Sequence, residues 1–388
     1  MNTPSSQPMT TPLRTVASTA GWGLFLTSSW TWCIGMWLPL VLMTQYGWPG
    51  FWLFAIPNVL GCAGMGYLIR SRRQSETLVA RHRGPMRWFS VATIAYQLFF
   101  LAFIFGARGW MPGVLDGTLP GLLVPLLAFA IALAASWLPW KAWPWLGSLV
   151  FLATMGSWVA TGDGFSAAIG SSGTKPELEL WPLAPIIILG FIACPWLDPT
   201  FHRARQMAPS RHAFGVFGIC FFAVLLFVAT YFRFYSFEAR DLVLPFLFYQ
   251  ATFTVSAHLR EIRLLEAKDG WGSTSLLSII SLLGVAIGFL IWLTCCFDIA
   301  RTWLDDTYLR FLGLYGLVFP AWILAFMLGN ARRNILTISL LIIGLLIAMP
   351  MAELGMIHDT RWWLLPPVIV VMATATIISV IGEDRSSA

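Results

Sequence analysis

Phe191-Ile-Ala-Cys-Pro-Trp-Leu-Asp-Pro-Thr-Phe-His-Arg-Ala-Arg-Gln206 opens as an apolar, membrane-crossing run and then departs from one. Pro195 and Pro199 stand four residues apart, with the carboxylate of Asp198 between them. Each proline lacks an amide donor and crowds the carbonyl four residues back, so the carbonyls of Phe191 and Pro195 lose their helical partners. Bare backbone and a buried acid are tolerated at membrane depth only where they face protein or a water-filled cavity. A broken helix with a polar site near the midplane is a device by which secondary transporters hold cargo. Asp198 followed by Pro199 is also a favoured helix start, with Asp at the N-cap and Pro at the first helical position. A capping role and direct contact with a cation or proton are both open for this acid.

Working outward, the rest of the chain is just as apolar. Hydrophobic residues make up 58% and charged residues 11%, against about 45–50% and 25% in soluble domains. The 21 tryptophans suit interfacial belts and helix packing. No stretch between the apolar runs is long enough for a soluble domain. Residues 1–20 are polar and almost uncharged, and are expected to form a disordered cytoplasmic tail. They lack the charged start and apolar core of a signal peptide. The six cysteines fall in or beside apolar runs and form neither a disulfide framework nor a CxxC metal site.

Twelve windows are long enough to cross a bilayer: 22–46, 50–70, 87–107, 120–139, 143–161, 181–202, 213–235, 241–259, 272–296, 307–329, 333–353 and 362–382. Loop charge orients them. Placing both ends inside leaves Arg108, Lys175, Arg233, Arg240, Arg301, Arg310 and Arg361 outside and the other 17 of the 24 basic residues inside. Lys and Arg bias sets orientation, so both termini are expected in the cytoplasm. The net charge of +6 is then positive-inside charge facing lipid, not a nucleic-acid surface. A bacterial inner membrane is the expected location.

The first window carries a second interruption. Thr27-Ser-Ser-Trp-Thr-Trp-Cys-Ile-Gly-Met-Trp-Leu-Pro39 crowds small and hydroxyl residues at its centre, and Pro39 frees the carbonyl of Gly35. The break is expected at Cys33 to Gly35. It lies five windows before the break at Cys194 to Pro199, so the two spans run in opposite directions. Paired interruptions in corresponding halves point to the binding site of inverted-repeat transporters.

These two segments carry a resemblance. Ser28-Ser-Trp-Thr-Trp, with Gln45-Tyr-Gly-Trp-Pro-Gly-Phe-Trp52, resembles the first core helix and following turn of the sodium:solute symporters. Pro195-Trp-Leu-Asp-Pro-Thr-Phe-His-Arg-Ala-Arg-Gln resembles that family's sixth core helix leaving the membrane. The family belongs to the amino acid–polyamine–cation superfamily. The resemblance covers roughly 22–70 and 185–235, and it implies a LeuT-like fold. The expected fold is then an all-α integral membrane protein of twelve helices, a five-plus-five inverted repeat with two peripheral helices. Residues 21–161 would form the first repeat, 162–180 an extracytoplasmic loop, 181–329 the second repeat, and 330–388 the peripheral helices and tail.

Two departures stand out. The family completes a sodium site with adjacent small hydroxyl residues on the eighth core helix, facing carbonyls of the first. Here the eighth window offers Thr252, Thr254 and Ser256, none adjacent. Thr252 and Ser256 share a helical face and are the candidate cation ligands. The extra helix that precedes the family's first core helix is also missing.

The function expected is secondary active transport of a small organic solute by alternating access, with Na+ or H+ as the coupling ion and no other cofactor. Candidate solute-binding residues are Ser28, Ser29, Trp30, Thr31, Trp32, Cys33 and Gly35 in the first span, Asn58 in the second, Gln97 in the third, and Cys194, Trp196 and Asp198 in the sixth. Each has a plainer use: hydroxyls bond back to helix carbonyls, Asn and Gln join helices, and tryptophans pack. His202, Arg203 and Arg205 leave the membrane together and are candidate gate residues as well as positive-inside anchors. Walker, GxSxG, HExxH and dinucleotide motifs are lacking. A non-transporting sensor or scaffold, and a lipid-modifying enzyme built on Asp198, His202 and Arg203, are the alternatives.

Overall fold

The computed structural model describes residues 12–106, 118–161, 172–229, 237–266, 301–358 and 360–382. All its regular structure there is helical. In a lipid environment a helix satisfies its own backbone within one segment, so apolar runs become helices. In chain order these are α1 (Pro12–Trp30), α2 (Cys33–Leu68), α3 (Arg72–Arg81), α4 (Arg83–Gly106), α5 (Thr118–Ala135) and α6 (Ala142–Thr161). Then follow α7 (Leu180–Ala193), α8 (Pro199–Met207), α9 (Ala213–Ala229) and α10 (Phe237–Glu266). α11 (Arg301–Gly313) runs on through a π-helical turn, α12 (Phe319–Trp322) and a second π turn ending at Leu328. α13 (Ile335–Ile357) and α14 (Leu365–Ile381) close the chain.

Seven helical stretches among the described residues are long and apolar enough to cross a membrane: Cys33–Leu68, Arg83–Phe105, Glu177–Trp196, Leu242–Leu265, Asp306–Leu328, Ile335–Ile357 and Arg361–Ile381. The chain is therefore a multi-spanning membrane protein, with seven such stretches rather than the twelve expected. Three of the windows account for part of the difference. The first window is divided between α1 and α2, and α2 joins its second part to the next window across a kink at Gly47. Of the seventh window, 213–235, the described residues reach 229 and form α9. The ninth, 272–296, lies outside the described residues.

The tail also differs from expectation. α1 begins at Pro12, so residues 12–20 are helical and not part of a disordered segment. Gly47 has φ 64° and ψ −151°, a conformation open essentially to glycine alone. It divides α2 into 33–46 and 48–68.

α1 sits at the centre, packed on α6, α9, α8 and α10, while α2 packs on α9 and α7. α4, α5 and α10 form a second group, and α13 packs on α14. Several contacts need glycine because backbones nearly touch. A Cβ at Gly147 would lie 2.5 Å from Phe25 Cα, and one at Gly61 would lie 2.8 Å from the Phe191 carbonyl oxygen. Small residues at such crossings let helices associate in lipid, where the hydrophobic effect cannot pull them together. Three- and four-ring contacts fill the centre, among them Trp32 against Phe89, His258 and Tyr315.

Candidate functional site

Both expected interruptions are present. In the first, Thr31 and Trp32 leave the helix between α1 and α2. That is two residues before the expected Cys33–Gly35, which instead form the first turn of α2. Pro39 removes one hydrogen bond without interrupting α2; the opening falls where side chains can take the freed groups. The Trp32 amide donates to the Trp30 carbonyl at 2.8 Å, and the Trp32 indole to the Ser29 carbonyl at 2.7 Å. The Cys33 amide, exposed at the start of α2, donates to Gln97 Oε1 at 2.7 Å. Tyr308 donates to the Cys33 carbonyl at 3.2 Å.

The second interruption falls where expected. α7 ends at Ala193, Cys194–Trp196 form a 3-10 turn, and α8 starts at Pro199 with Asp198 as its N-cap. Asp198 Oδ1 accepts from the Thr200 amide at 2.7 Å. Its other oxygen, Oδ2, is buried and has no hydrogen-bond partner among the described residues. The carbonyls freed by the two prolines are both engaged: that of Phe191 by Cys62 Sγ at 3.8 Å, that of Pro195 by the Asp198 amide at 3.3 Å. Cys194 Sγ donates to the Tyr315 carbonyl at 3.1 Å, inside the first π turn.

The two breaks adjoin. α1 ends where α8 begins: Ser29 donates to Thr200 Oγ1 at 3.4 Å, and the rings of Trp30 and Phe201 lie 4.9 Å apart. The Trp30 indole donates to Asn58 Oδ1 at 2.8 Å, which ties the second half of α2 to the same place. Ser28 turns away to the Gly147 carbonyl at 2.9 Å, and Thr31 bonds back to the Thr27 carbonyl at 2.7 Å. Of the twelve solute-site candidates, Gly35 lies along α2 beyond the break, 3.9 Å from the Phe221 ring in terms of its would-be Cβ. The Trp196 side chain is partly buried, and its carbonyl accepts from His202.

Among the described residues, three buried polar atoms around this junction have no hydrogen-bond partner: Asp198 Oδ2, Gln97 Nε2 and His258 Nε2. Buried polar groups are nearly always paired, so such atoms mark places where a ligand or water completes the set.

α10 faces the first break with residues the sequence reading did not choose. Thr252 and Ser256 bond within their own helix, to the carbonyls of Phe248 at 2.7 Å and Thr252 at 2.6 Å. Gln250 reaches α1 instead, and Thr254 does both, bonding back to the Gln250 carbonyl at 3.2 Å while also facing α1. Gln250 Nε2 donates to the carbonyls of Ser28 and of Thr31, the latter at 3.3 Å, and Thr254 approaches the Ser28 carbonyl at 3.4 Å. His258, one more turn along, hydrogen-bonds Ser90 at 3.0 Å and packs on Trp32. Gln250, Thr254 and His258 recur every fourth residue, one helical stripe. Thr252 and Ser256 share the same spacing on the neighbouring stripe, so the sequence carried no signal that favoured one over the other.

The gate candidates are all engaged at the basic-loop end. Arg203 makes a bidentate pair with Glu261 of α10, the closest contact 2.9 Å, and Arg260 adds a second at 2.8 Å. His202 Nε2 donates to the Trp196 carbonyl at 3.0 Å, and Nδ1 accepts from Ser75 of α3 at 2.9 Å. Arg205 donates to the carbonyls of Ile69 and Arg70, each at 2.8 Å. Gln206 reaches Ser75 at 3.1 Å. α3 thus straps the end of α8. Among the described residues no group of His, Cys, Asp and Glu is placed to hold a metal ion.

No protein-family model matches the chain, and no curated protein does. Solved structures do. One is the substrate-bound, outward-open state of a Na+-coupled sialic acid symporter, 15% identical, covering 94% of this chain and 89% of that one with a TM-score of 0.56. The likeness establishes a shared fold, that of a multi-spanning helical symporter.

Proposed function

We propose that the chain is a secondary active transporter of a small organic solute, working by alternating access on a LeuT-like five-plus-five repeat within the amino acid–polyamine–cation superfamily. The observation that carries this reading is the meeting of two interrupted helices around buried polar atoms without partners. Cargo would bind between the breaks, with Trp30, Trp32 and Tyr315 as walls and Gln97, His258 and Asp198 as polar contacts. A neutral solute with an amphipathic face fits such a lining. Asp198 is the candidate coupling acid, since its Oδ2 can carry a proton without disturbing the cap made by Oδ1. The Arg203–Glu261 pair would close the cytoplasmic path and part when the site opens inward.

The shared fold with a symporter supports a non-catalytic role. So does the fate of the proposed enzyme trio: His202 has both ring nitrogens occupied and Arg203 is held by Glu261. Neither is free to act on a substrate.

The test is uptake by purified protein in liposomes, with a solute library and imposed H+ or Na+ gradients. Gradient-driven accumulation of a solute, lost in Asp198→Asn while counterflow exchange persists, is the expected result. An Asp198→Asn protein that still accumulates solute under a proton gradient removes Asp198 from coupling. No uptake or exchange of any solute by folded protein favours the sensor or scaffold reading.

A further inference from the structure

A broken helix leaves a fixed set of carbonyls without partners, and each can be followed here. At the end of α1 the Thr27 carbonyl accepts from the Thr31 amide at 3.1 Å, and the Ser29 and Trp30 carbonyls are taken by Trp32. The Trp32 carbonyl accepts from Met36 at 2.7 Å. Two remain, those of Ser28 and Thr31. Both face α10, and both accept from the same nitrogen, Nε2 of Gln250. A primary amide has two N–H donors, enough for both carbonyls.

Carbonyl oxygens converging in a buried place need a positive partner. Hard cations are held by such oxygens, and amide hydrogens meet the same need with a partial charge and no net one. Gln250 is 2% exposed and sits on α10, which packs along α1. Thr254, one turn further, adds a hydroxyl 3.4 Å from the Ser28 carbonyl. Two carbonyls and a hydroxyl oxygen would begin a cation's coordination shell. The carboxamide already lies among them.

We infer that the Gln250 carboxamide is a built-in substitute for a cation between α1 and α10, so that this junction is held together without bound sodium. The inference rests on the transporter reading only for its consequence, that coupling does not run through a cation at this place. The strut also makes Gln250 a positioning residue: α1 cannot swing from α10 without giving up both hydrogen bonds.

The test reads binding and stability, so it can fail independently of transport. Thermal midpoints of purified protein are measured as NaCl replaces choline chloride at constant ionic strength. The wild type is expected to be flat. Gln250→Glu keeps the shape but sets a carboxylate against two carbonyls, a set of oxygens that calls for a cation. Its midpoint is expected to start low and to rise saturably with sodium, by about 3 °C or more at saturation. A Gln250→Glu midpoint that ignores sodium overturns the inference, because the amide would then not occupy a cation's place. If that variant does not fold, wild type and Thr254→Val decide it. A saturable sodium response in wild type that Thr254→Val weakens shows a cation at this junction and overturns the inference. A flat response, or one Thr254→Val leaves unchanged, supports it.

Discussion

The two oxygens of Asp198 do different work. Oδ1 caps α8 through the Thr200 amide, and Oδ2 is buried without a partner. Asp198→Ala removes the cap and is expected to cost about 1 kcal/mol, whereas Asp198→Asn caps as well and stays near wild-type stability. Denaturation of the purified variants in detergent measures both. If Asn costs as much as Ala, the cap is not what Oδ1 supplies. His82, between α3 and α4, gives a pH dependence. It is buried, and neither ring nitrogen is hydrogen-bonded among the described residues. Burial, then the charges of Arg333 and Arg81, push its pKa down to about 4. The unfolded chain therefore binds more protons than the folded one between about 4 and 6.5, and stability falls as pH drops through that window. The loss is on the order of 2 kcal/mol. His82→Gln should flatten that part of the midpoint-against-pH curve, and an unchanged curve would assign the acid sensitivity to other groups.

Among elements, close backbone approach is the feature most open to test. Gly61 brings the second half of α2 against the Phe191 carbonyl, itself freed by Pro195. Gly147 brings α6 against Phe25 of α1. Both neighbours are backbone and cannot rotate aside, so Gly61→Ala and Gly147→Ala are each expected to destabilise by about 1–3 kcal/mol. Gly64→Ala, with nothing within 4 Å among the described residues, is the control and should be neutral. Equal midpoints for all three would mean the helices are not packed as described. The contact of α8 with α10 is ionic instead. Glu261 is 2% exposed and serves both Arg203 and Arg260. Glu261→Gln leaves two arginines without their carboxylate, at a cost of about 2–3 kcal/mol, the low end because Arg203 is partly in solvent. The same change should speed alkylation of buried Cys194 by a permeant maleimide, since the end of α8 is no longer tied to α10. Unaltered reactivity would show that the pair does not hold that end shut.

For the molecule as a whole, the bias of basic residues predicts a cytoplasmic α3. A cysteine placed at Thr77, on the exposed surface of that helix, should resist an impermeant maleimide added to intact cells and react after permeabilisation. Ready labelling from outside would invert the topology. α3 is well made for a water-facing strap: Ser71 caps it by accepting from the Gln74 amide at 3.1 Å, and Arg72 pairs with Glu76 one turn on. Arg81 at its far end reaches Asn330, which holds a positive φ of 51° beyond the second π turn. One short helix so joins the end of α8 to the start of the segment leading into α13.

Much of this was legible in the residues because lipid leaves the backbone few choices. Apolar runs must become helices, and Pro195, Asp198 and Pro199 state a break, its cap and the restart within five positions. The sequence by itself therefore determined a helical membrane protein with two interruptions, the second at the right residues. It could not place the first, because Thr31 and Trp32 open where Gln250, Gln97 and Tyr308 arrive from distant helices to take up the freed groups. Nor could it choose between alternate faces of α10. Thr252 and Ser256 share one stripe, Gln250 and Thr254 another, and periodicity alone does not say which stripe meets α1. Packing decided that, and with it which oxygens at the break are already satisfied and which buried atoms still wait for a partner.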